Sequence, residues 1–249
     1  LVHLGAQAIK HGKTVVHYTL ELADTVVAGR YDSCLTKIPL SQMHSFKEEI
    51  YEQVQDLEGV LLVKEYPTKS ASTRTIRSHL EKLKMKDINP DMVIVDYADL
   101  LRPVSTGREK RYELESIYDE LRGLAKEFEC SFWTASQTNR SGLNAEVITM
   151  ESISEAFNKC FVSDFIFSLS RTVEDKQNNT GRFFVAKNRN GPDGIVFPVK
   201  MHTSNVSIEV IKPTDAEATT ISAKDQSEIL KEKYKKFRKE QKQQKEGAK

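Results

Sequence analysis

Short runs of β-branched and aromatic residues alternate along this chain with longer stretches whose apolar positions recur at helical spacing, the pattern of a wound α/β sheet. Residues 15–20, 60–63, 92–95, 130–135 and 165–169 are predicted strands. Between them Ile76, Leu80 and Leu83 fall on one helical face, and Leu114, Ile117, Leu121, Leu124 and Phe128 on another. A mainly parallel twisted sheet with flanking helices follows. After Phe165 the spacing tightens into extended segments at 182–187, 195–201 and 206–211, joined by turn residues. Asn190-Gly191-Pro192-Asp193-Gly194 closes the first pair of them, so an antiparallel hairpin extension is expected on the C-terminal side. Near the start, residues 2–10 read as a helix, with Gly12 as the C′ residue that ends it.

Composition changes this picture little: 39% hydrophobic and 29% charged residues are ordinary for a soluble domain. No apolar run approaches ~18 residues, so no membrane partner is expected and the cytoplasm is the expected compartment, the host's if the gene is phage-encoded. Cys34, Cys130 and Cys160 are widely spaced, without metal-ligand or redox spacing, and are expected to be reduced packing residues. The net charge of +1 hides an asymmetry. Residues 224–249 carry ten Lys/Arg against five Asp/Glu, which leaves the preceding 223 residues at −4. Contact with nucleic acid is therefore expected from local patches or from this tail. The tail begins with Ser222-x-x-Asp225, a possible helix cap, and carries a narrow stripe of Leu230, Tyr234 and Phe237; a docking helix and a solvated tail both fit. The expected organisation is one domain over 1–212, a linker over 213–223 and the basic tail over 224–249.

Open parallel sheets bind ligands at the carboxyl ends of their strands, so the polar residues that follow each strand are the first candidates for chemistry. Glu21 follows the first strand, Asp96 follows four apolar residues, and Gln137 follows 131–136. A carboxylate placed like Asp96 suits a Mg²⁺ site, commonly through water. A Glu can deprotonate or orient a water, and a Gln can sense a γ-phosphate. Lys187 and Arg189 stand two apart at the end of an apolar run, so in extended backbone they point the same way and offer one two-pronged cationic surface to an anion. Singly, each has an ordinary reading as a cap, a loop residue or a solvated hairpin tip.

Taken in order, Tyr18-Thr19-Leu20-Glu21, Val93-Ile94-Val95-Asp96-Tyr97, Ala135-Ser136-Gln137-Thr138-Asn139-Arg140 and Lys187-Asn188-Arg189-Asn190-Gly191 resemble the RecA-like ATPase domain of DnaB-type replicative helicases, the phage-encoded members especially. The resemblance runs from near residue 1 to about 212. It implies a motor that uses ATP and Mg²⁺ to translocate on single-stranded DNA and unwind duplex as a hexameric ring, with a primase or helicase loader as further partner. It implies Glu21 as the catalytic base, Asp96 as the Mg²⁺-site carboxylate, Gln137 as the phosphate sensor, and Lys187 and Arg189 as fingers that reach the γ-phosphate of the adjacent subunit. Arg30 also falls where family members carry an Arg, without a definite role. The regions matching the DNA-gripping loops hold Arg102, Arg108, Lys110 and Arg111 after Asp96, and Arg140 in the segment from 139 to about 157.

One part of that pattern is missing. The chain contains no G-x-x-x-x-G-K-[ST] phosphate loop; Gly12-Lys13-Thr14 has Gln7 where the first Gly should stand, and it precedes a strand instead of a helix. Residue 1 is expected to lie just downstream of such a loop in a truncated sequence, with a degenerate domain as the alternative. Weak ATP binding, negligible turnover and a monomer or weak oligomer are expected of the chain alone. Two other readings stay open: a RecA- or KaiC-like recombination ATPase, and a RecA-fold interaction module without a phosphate loop.

Overall fold

In the computed structural model, which describes residues 1–105, 109–138, 147–150 and 158–211, the chain forms two four-stranded sheets flanked by helices. The element order is α1 Val2–Lys10, β1 Thr14–Thr19, α2 Asp24–Thr36, α3 Lys47–Gln55, β2 Val60–Glu65, α4 Thr73–Lys84 and β3 Met92–Asp96. There follow α5 Lys110–Glu127, β4 Ser131–Thr134, α6 Asn158–Val162, β5 Phe165–Ser170, α7 Val173–Asn178, β6 Thr180–Asn188, β7 Ile195–His202 and β8 Ser207–Val210. The first sheet is wholly parallel in the order β2-β1-β3-β4, and the second is antiparallel in the order β5-β6-β7-β8.

Both faces of the parallel sheet are covered, as crossover helices require. Successive residues of β1 point to opposite faces, so Val16 and Tyr18 join Val93 and Val95 under α4 and α5, whose Ile76, Leu80, Ile117, Leu121 and Leu124 complete one core. Val15 and Ile94 face the other way, onto Ala6 and Ile9 of α1 and Val27, Tyr31 and Cys34 of α2. The helix read over 2–10 is present, and it ends as its sequence implies. Gly12 has φ +70°, its N–H donates to the Ile9 carbonyl, and Lys13 N–H reaches back to Ala8, each within 3.1 Å. This is the Schellman pattern, which satisfies two orphan carbonyls and needs a residue tolerant of positive φ.

The segment 165–169, read among the wound strands, turns out to belong to the antiparallel sheet, where β5 pairs with β6. Its apolar run is common to both kinds of strand, so periodicity alone could not assign it. An aromatic seam bridges the two sheets: Trp133 of β4 lies 6.1 Å from both Phe165 and Phe167 of β5, and Phe167 stacks on Phe183 of β6 at 4.6 Å. The three cysteines are free, as expected. Among the described residues no helix is long and apolar enough to cross a membrane. The tail beyond residue 211 and its expected linker lie outside the described residues.

The short helix α7 sets the start of β6. Its N-cap Thr172 and Asp175 form a reciprocal capping box, and the Asp175 carboxylate also accepts from Thr180 at 3.0 Å and Arg182 at 2.7 Å. The Thr172 backbone N–H, then its hydroxyl, Arg182 and Thr180 hold this carboxyl well below the usual carboxylate range, against an opposing effect of burial. A depressed folded-state value means that the stabilisation is full above the unfolded value near ~3.9 and is lost as pH falls below it. Asp175→Asn is therefore expected to cost about 2 kcal/mol at neutral pH. In urea titrations across pH, the gap between wild type and variant should stay flat down to about pH 4 and narrow below it; a gap that widens on acidification would contradict the assignment.

Candidate functional site

Register brings the strand-end residues together. β1 and β3 pair with Thr19 opposite Asp96, and Leu20 N–H donates to the Asp96 carbonyl at 2.9 Å. Leu20 is buried at the sheet edge, while Glu21, next along, stands in solvent. The Thr19 hydroxyl donates to the Leu22 carbonyl at 2.7 Å and turns the chain toward α2. On the other side β3 pairs with β4, Val95 opposite Thr134, and the Thr134 hydroxyl oxygen accepts from Ala98 N–H at 2.9 Å. Gln137 lies three residues past β4, and its amide nitrogen donates to the Tyr97 hydroxyl at 3.0 Å. Glu21, Asp96 and Gln137 thus share one edge, delivered by three adjacent parallel strands.

Behind Asp96 lies a buried polar chain. His17 and Tyr31 are fully buried, and the two meet at 2.9 Å between His17 Nδ1 and the Tyr31 hydroxyl. Burial lowers the His17 value and raises that of Tyr31, so the imidazole stays neutral and the phenol keeps its proton. The phenol then donates to Nδ1, which leaves the ring proton on Nε2. That atom has no hydrogen-bond partner and lies 3.8 Å from Asp96 Oδ2. Gly5 of α1 makes room for the arrangement, since a Cβ there would sit 2.1 Å from the Tyr31 hydroxyl. Burial pushes the Asp96 carboxyl up, but the His17 contact and the charge of Arg30 outweigh it, and the carboxyl lies below its ordinary value. Arg30 therefore acts on Asp96 through its field. Asp96 presents an ionised oxygen donor at the sheet edge, and among the described residues no group of three or more His, Cys, Asp or Glu gathers as a metal cluster. That fits a Mg²⁺ ion, which takes one or two carboxylates and completes its shell with phosphate oxygens and water.

The cation pair sits on the second sheet, at and just beyond the end of β6. Lys187 and Arg189 do point the same way: Nζ of Lys187 lies 3.3 Å from the Phe161 carbonyl, and Nη2 of Arg189 lies 3.2 Å from the same oxygen. Lys187 also donates to the Cys160 carbonyl at 2.6 Å, while Arg189 pairs with Asp164 at 2.5 Å. Arg122 of α5 shares Asp164 at 3.0 Å and donates to the Val162 carbonyl. Three cations therefore close over the C-terminal carbonyls of α6, where a helix leaves acceptors unpaired and carries partial negative charge.

Sequence reasoning missed the residue that seats α6. Lys159 is buried, pairs with Asp99 at 2.6 Å, and lies over the Tyr118 ring at 5.4 Å. Only Asp99 carried a signal, three residues past Asp96. Of the cations matched to DNA-gripping loops, Arg102, Lys110 and Arg111 are exposed around the start of α5, with Arg111 lying over the Tyr112 ring at 4.7 Å. Arg108 and Arg140 lie outside the described residues.

The sequence model of the DnaB-like helicase C-terminal domain matches residues 2–205. The chain is 30% identical over 187 residues to a DnaB-like replicative helicase of Enterobacteria phage T4, covering 70% of this chain and 39% of that protein. It is 24% identical over 197 residues to the replicative DNA helicase DnaB of Mycobacterium intracellulare, covering 74% of this chain and 34% of that protein. The chain thus spans under two fifths of the length of these relatives. Among solved structures, one described as an isolated ATPase domain superposes with a TM-score of 0.71 at 16% identity, over 85% of this chain and 80% of that one. A DnaB-like replicative helicase described with its primase interactions superposes with a TM-score of 0.72 at 16% identity, over 85% of this chain and 54% of that one. These two similarities establish the RecA-like ATPase fold.

The Tyr31–His17 pair can be tested without nucleotide. Tyr31→Phe removes the one hydrogen bond the buried imidazole makes and should cost about 1–3 kcal/mol in urea denaturation. Replacing both residues by Phe removes the orphan with its partner, and should recover a substantial part of that loss. A double variant no more stable than Tyr31→Phe would show that the imidazole is not the cause.

Proposed function

We propose that this chain, which belongs to the DnaB-like helicase C-terminal domain family, is the ATP-driven motor module of a replicative DNA helicase. The observation that carries the reading is the convergence of Glu21, Asp96 and Gln137 on one edge of the parallel sheet, with the Lys187/Arg189 pair on the adjoining sheet. A Mg²⁺ ion bound with ATP supplies neutralisation of charge on the phosphate oxygens.

In this reading Asp96, kept ionised at the end of β3, holds the ion through a water. Glu21, clear of the sheet and exposed, orients and deprotonates the attacking water. Gln137 senses the γ-phosphate, and its hydrogen bond to Tyr97 ties the sensor to the residue next to Asp96. Lys187 and Arg189 serve the nucleotide of the adjacent subunit in a hexameric ring, leaving the α6 carbonyls to do so. Arg is suited to that exchange, because its fork meets phosphate oxygens in two parallel bonds and its charge is permanent. Arg102, Arg108, Lys110, Arg111 and Arg140 are the cations that meet the backbone of single-stranded DNA, an electrostatic grip with little sequence preference. A primase or loader as further partner, the cytoplasm as compartment, and 1–212 as the motor unit ahead of a basic tail complete the reading.

The decisive test is complementation between subunits, in the protein expressed from the whole reading frame. Arg189→Ala should lower DNA-stimulated ATP turnover by about 10³-fold while nucleotide binding is retained, since a finger stabilises charge in the transition state. Glu21→Ala should do the same from the other half of the site. Mixed rings should regain part of the activity, because some interfaces then pair an intact Glu21 with an intact Arg189. Mixtures as inactive as either variant alone would refute action between subunits.

A further inference from the structure

Lys159 is a buried, charged side chain to which the proposed mechanism gives no task. Its Nζ pairs with Asp99 Oδ2 at 2.6 Å and lies 3.4 Å from the Ser136 hydroxyl. Tyr118 of α5 donates to the other oxygen of Asp99 at 2.9 Å. Each partner stands beside a proposed nucleotide residue: Asp99 lies three residues past Asp96, and Ser136 immediately precedes Gln137. Through its own backbone, Lys159 belongs to the short helix whose Cys160 and Phe161 carbonyls hold Lys187 and Arg189. One ammonium group therefore joins the loops after β3 and β4 to the seat of the cation pair.

Stability alone is a poor reason for such a pair. Taking two charges out of water costs several kcal/mol per ion, and well-packed apolar residues of similar volume are often as stable or more so. A Met at 159 could lie on the same Tyr118 ring. What apolar residues could not do is hold α6 to both loops by directional bonds, so that a shift of either loop is felt at the helix.

We propose that Lys159 is a positioning residue: its ion pair with Asp99 and its contact with Ser136 link the Asp96 and Gln137 loops to α6, and so set when Lys187 and Arg189 are held on the α6 carbonyls and when they are presented to the neighbouring subunit. This deepens the helicase reading and rests on it. The link makes α6 a two-position element. While Lys159 bridges both loops, α6 keeps its place and its carbonyls compete for the cations; displacement of Ser136 with the sensor loop loosens the seat and frees them.

The test uses the double variant Lys159→Met/Asp99→Leu, which removes both charges together and leaves no unpaired buried ion, alongside Lys159→Arg. In the chain itself, hydrogen exchange is read at the Arg189 amide, which donates to the Asp164 carbonyl just beyond α6. The double variant should exchange there at least tenfold faster while the β1 amides keep wild-type rates, and Lys159→Arg should restore part of the protection. Unchanged exchange at Arg189 would overturn the link. In the protein of the whole reading frame, the double variant should lose at least tenfold in kcat with single-stranded DNA present while KM for ATP stays within twofold. A wild-type kcat in that variant would also overturn the proposal. If the wild type itself showed no DNA-stimulated turnover while the exchange result held, the helicase reading would fall, and the physical link between the loops and the cation pair would stand.

Discussion

Parallel pairing of β1 with β3, with Thr19 held opposite Asp96, is the constraint on which the rest of the molecule depends. Parallel neighbours cannot be joined by a hairpin, so the chain must cross over a face of the sheet between them, and the crossings bury both faces under helices. Once both faces are apolar, the strand ends are the remaining place for polar chemistry. The register then decides which residues meet there. Because side chains alternate, a slip of one residue would exchange Val16 and Tyr18 with Val15 and His17 and dissolve both cores together. The edge that gathers Glu21, Asp96 and Gln137 is thus held in place by nearly the whole apolar interior.

The second sheet contributes through electrostatics more than through packing. Its aromatic seam with Trp133 joins it to β4, but its chemical contribution is the cation pair on the α6 carbonyls. A five-residue helix has few internal bonds relative to its ends, so its last carbonyls need partners from outside. Lys187, Arg189 and Arg122 supply them, and Asp164 balances the two guanidinium groups. These contacts are exchangeable, since each joins a cation to a neutral oxygen or a half-exposed carboxylate. A phosphate group competes for such cations on favourable terms, which is why the same arrangement can store a finger and release it.

How far the sequence could be read depended on whether the signal was local. The helix at 2–10 with its Gly12 ending, the strands around Val15, Met92 and Ile195, and the turn at 190–194 are written in short-range pattern and are present where expected. The strand-end placing of Glu21, Asp96 and Gln137 was legible for the same reason, because a strand followed by a polar residue is itself a local pattern. The shared orientation of Lys187 and Arg189 followed from period-two geometry. What could not be read are the partners. Nothing near Lys159 announces that it pairs with a residue sixty positions earlier, nothing near His17 announces Tyr31, and the pairing of β5 with β6 in place of β4 turns on sheet geometry that an apolar run does not encode. Helix α2 was unread because its apolar positions form no clear stripe, even though Val27, Tyr31 and Cys34 are buried.

The buried polar residues show where the fold departs from its own economy. Ser72 caps α4, Ser33 donates to the Ile38 carbonyl, and Asp175 completes the box that starts α7. Each of these satisfies nearby backbone and needs no further reason. His17 and Lys159 differ. Both are deeply buried, both reach across to side chains of other elements, and neither is required by its own backbone. One stands behind Asp96 and the other beside Asp99, so the two least economical groups in the interior flank the same strand end. Local rules tend to be broken where a fold serves function. Here the cost of burying polar groups falls around the end of β3, where a carboxylate must keep its charge and a neighbouring loop must stay coupled to the cations on the second sheet.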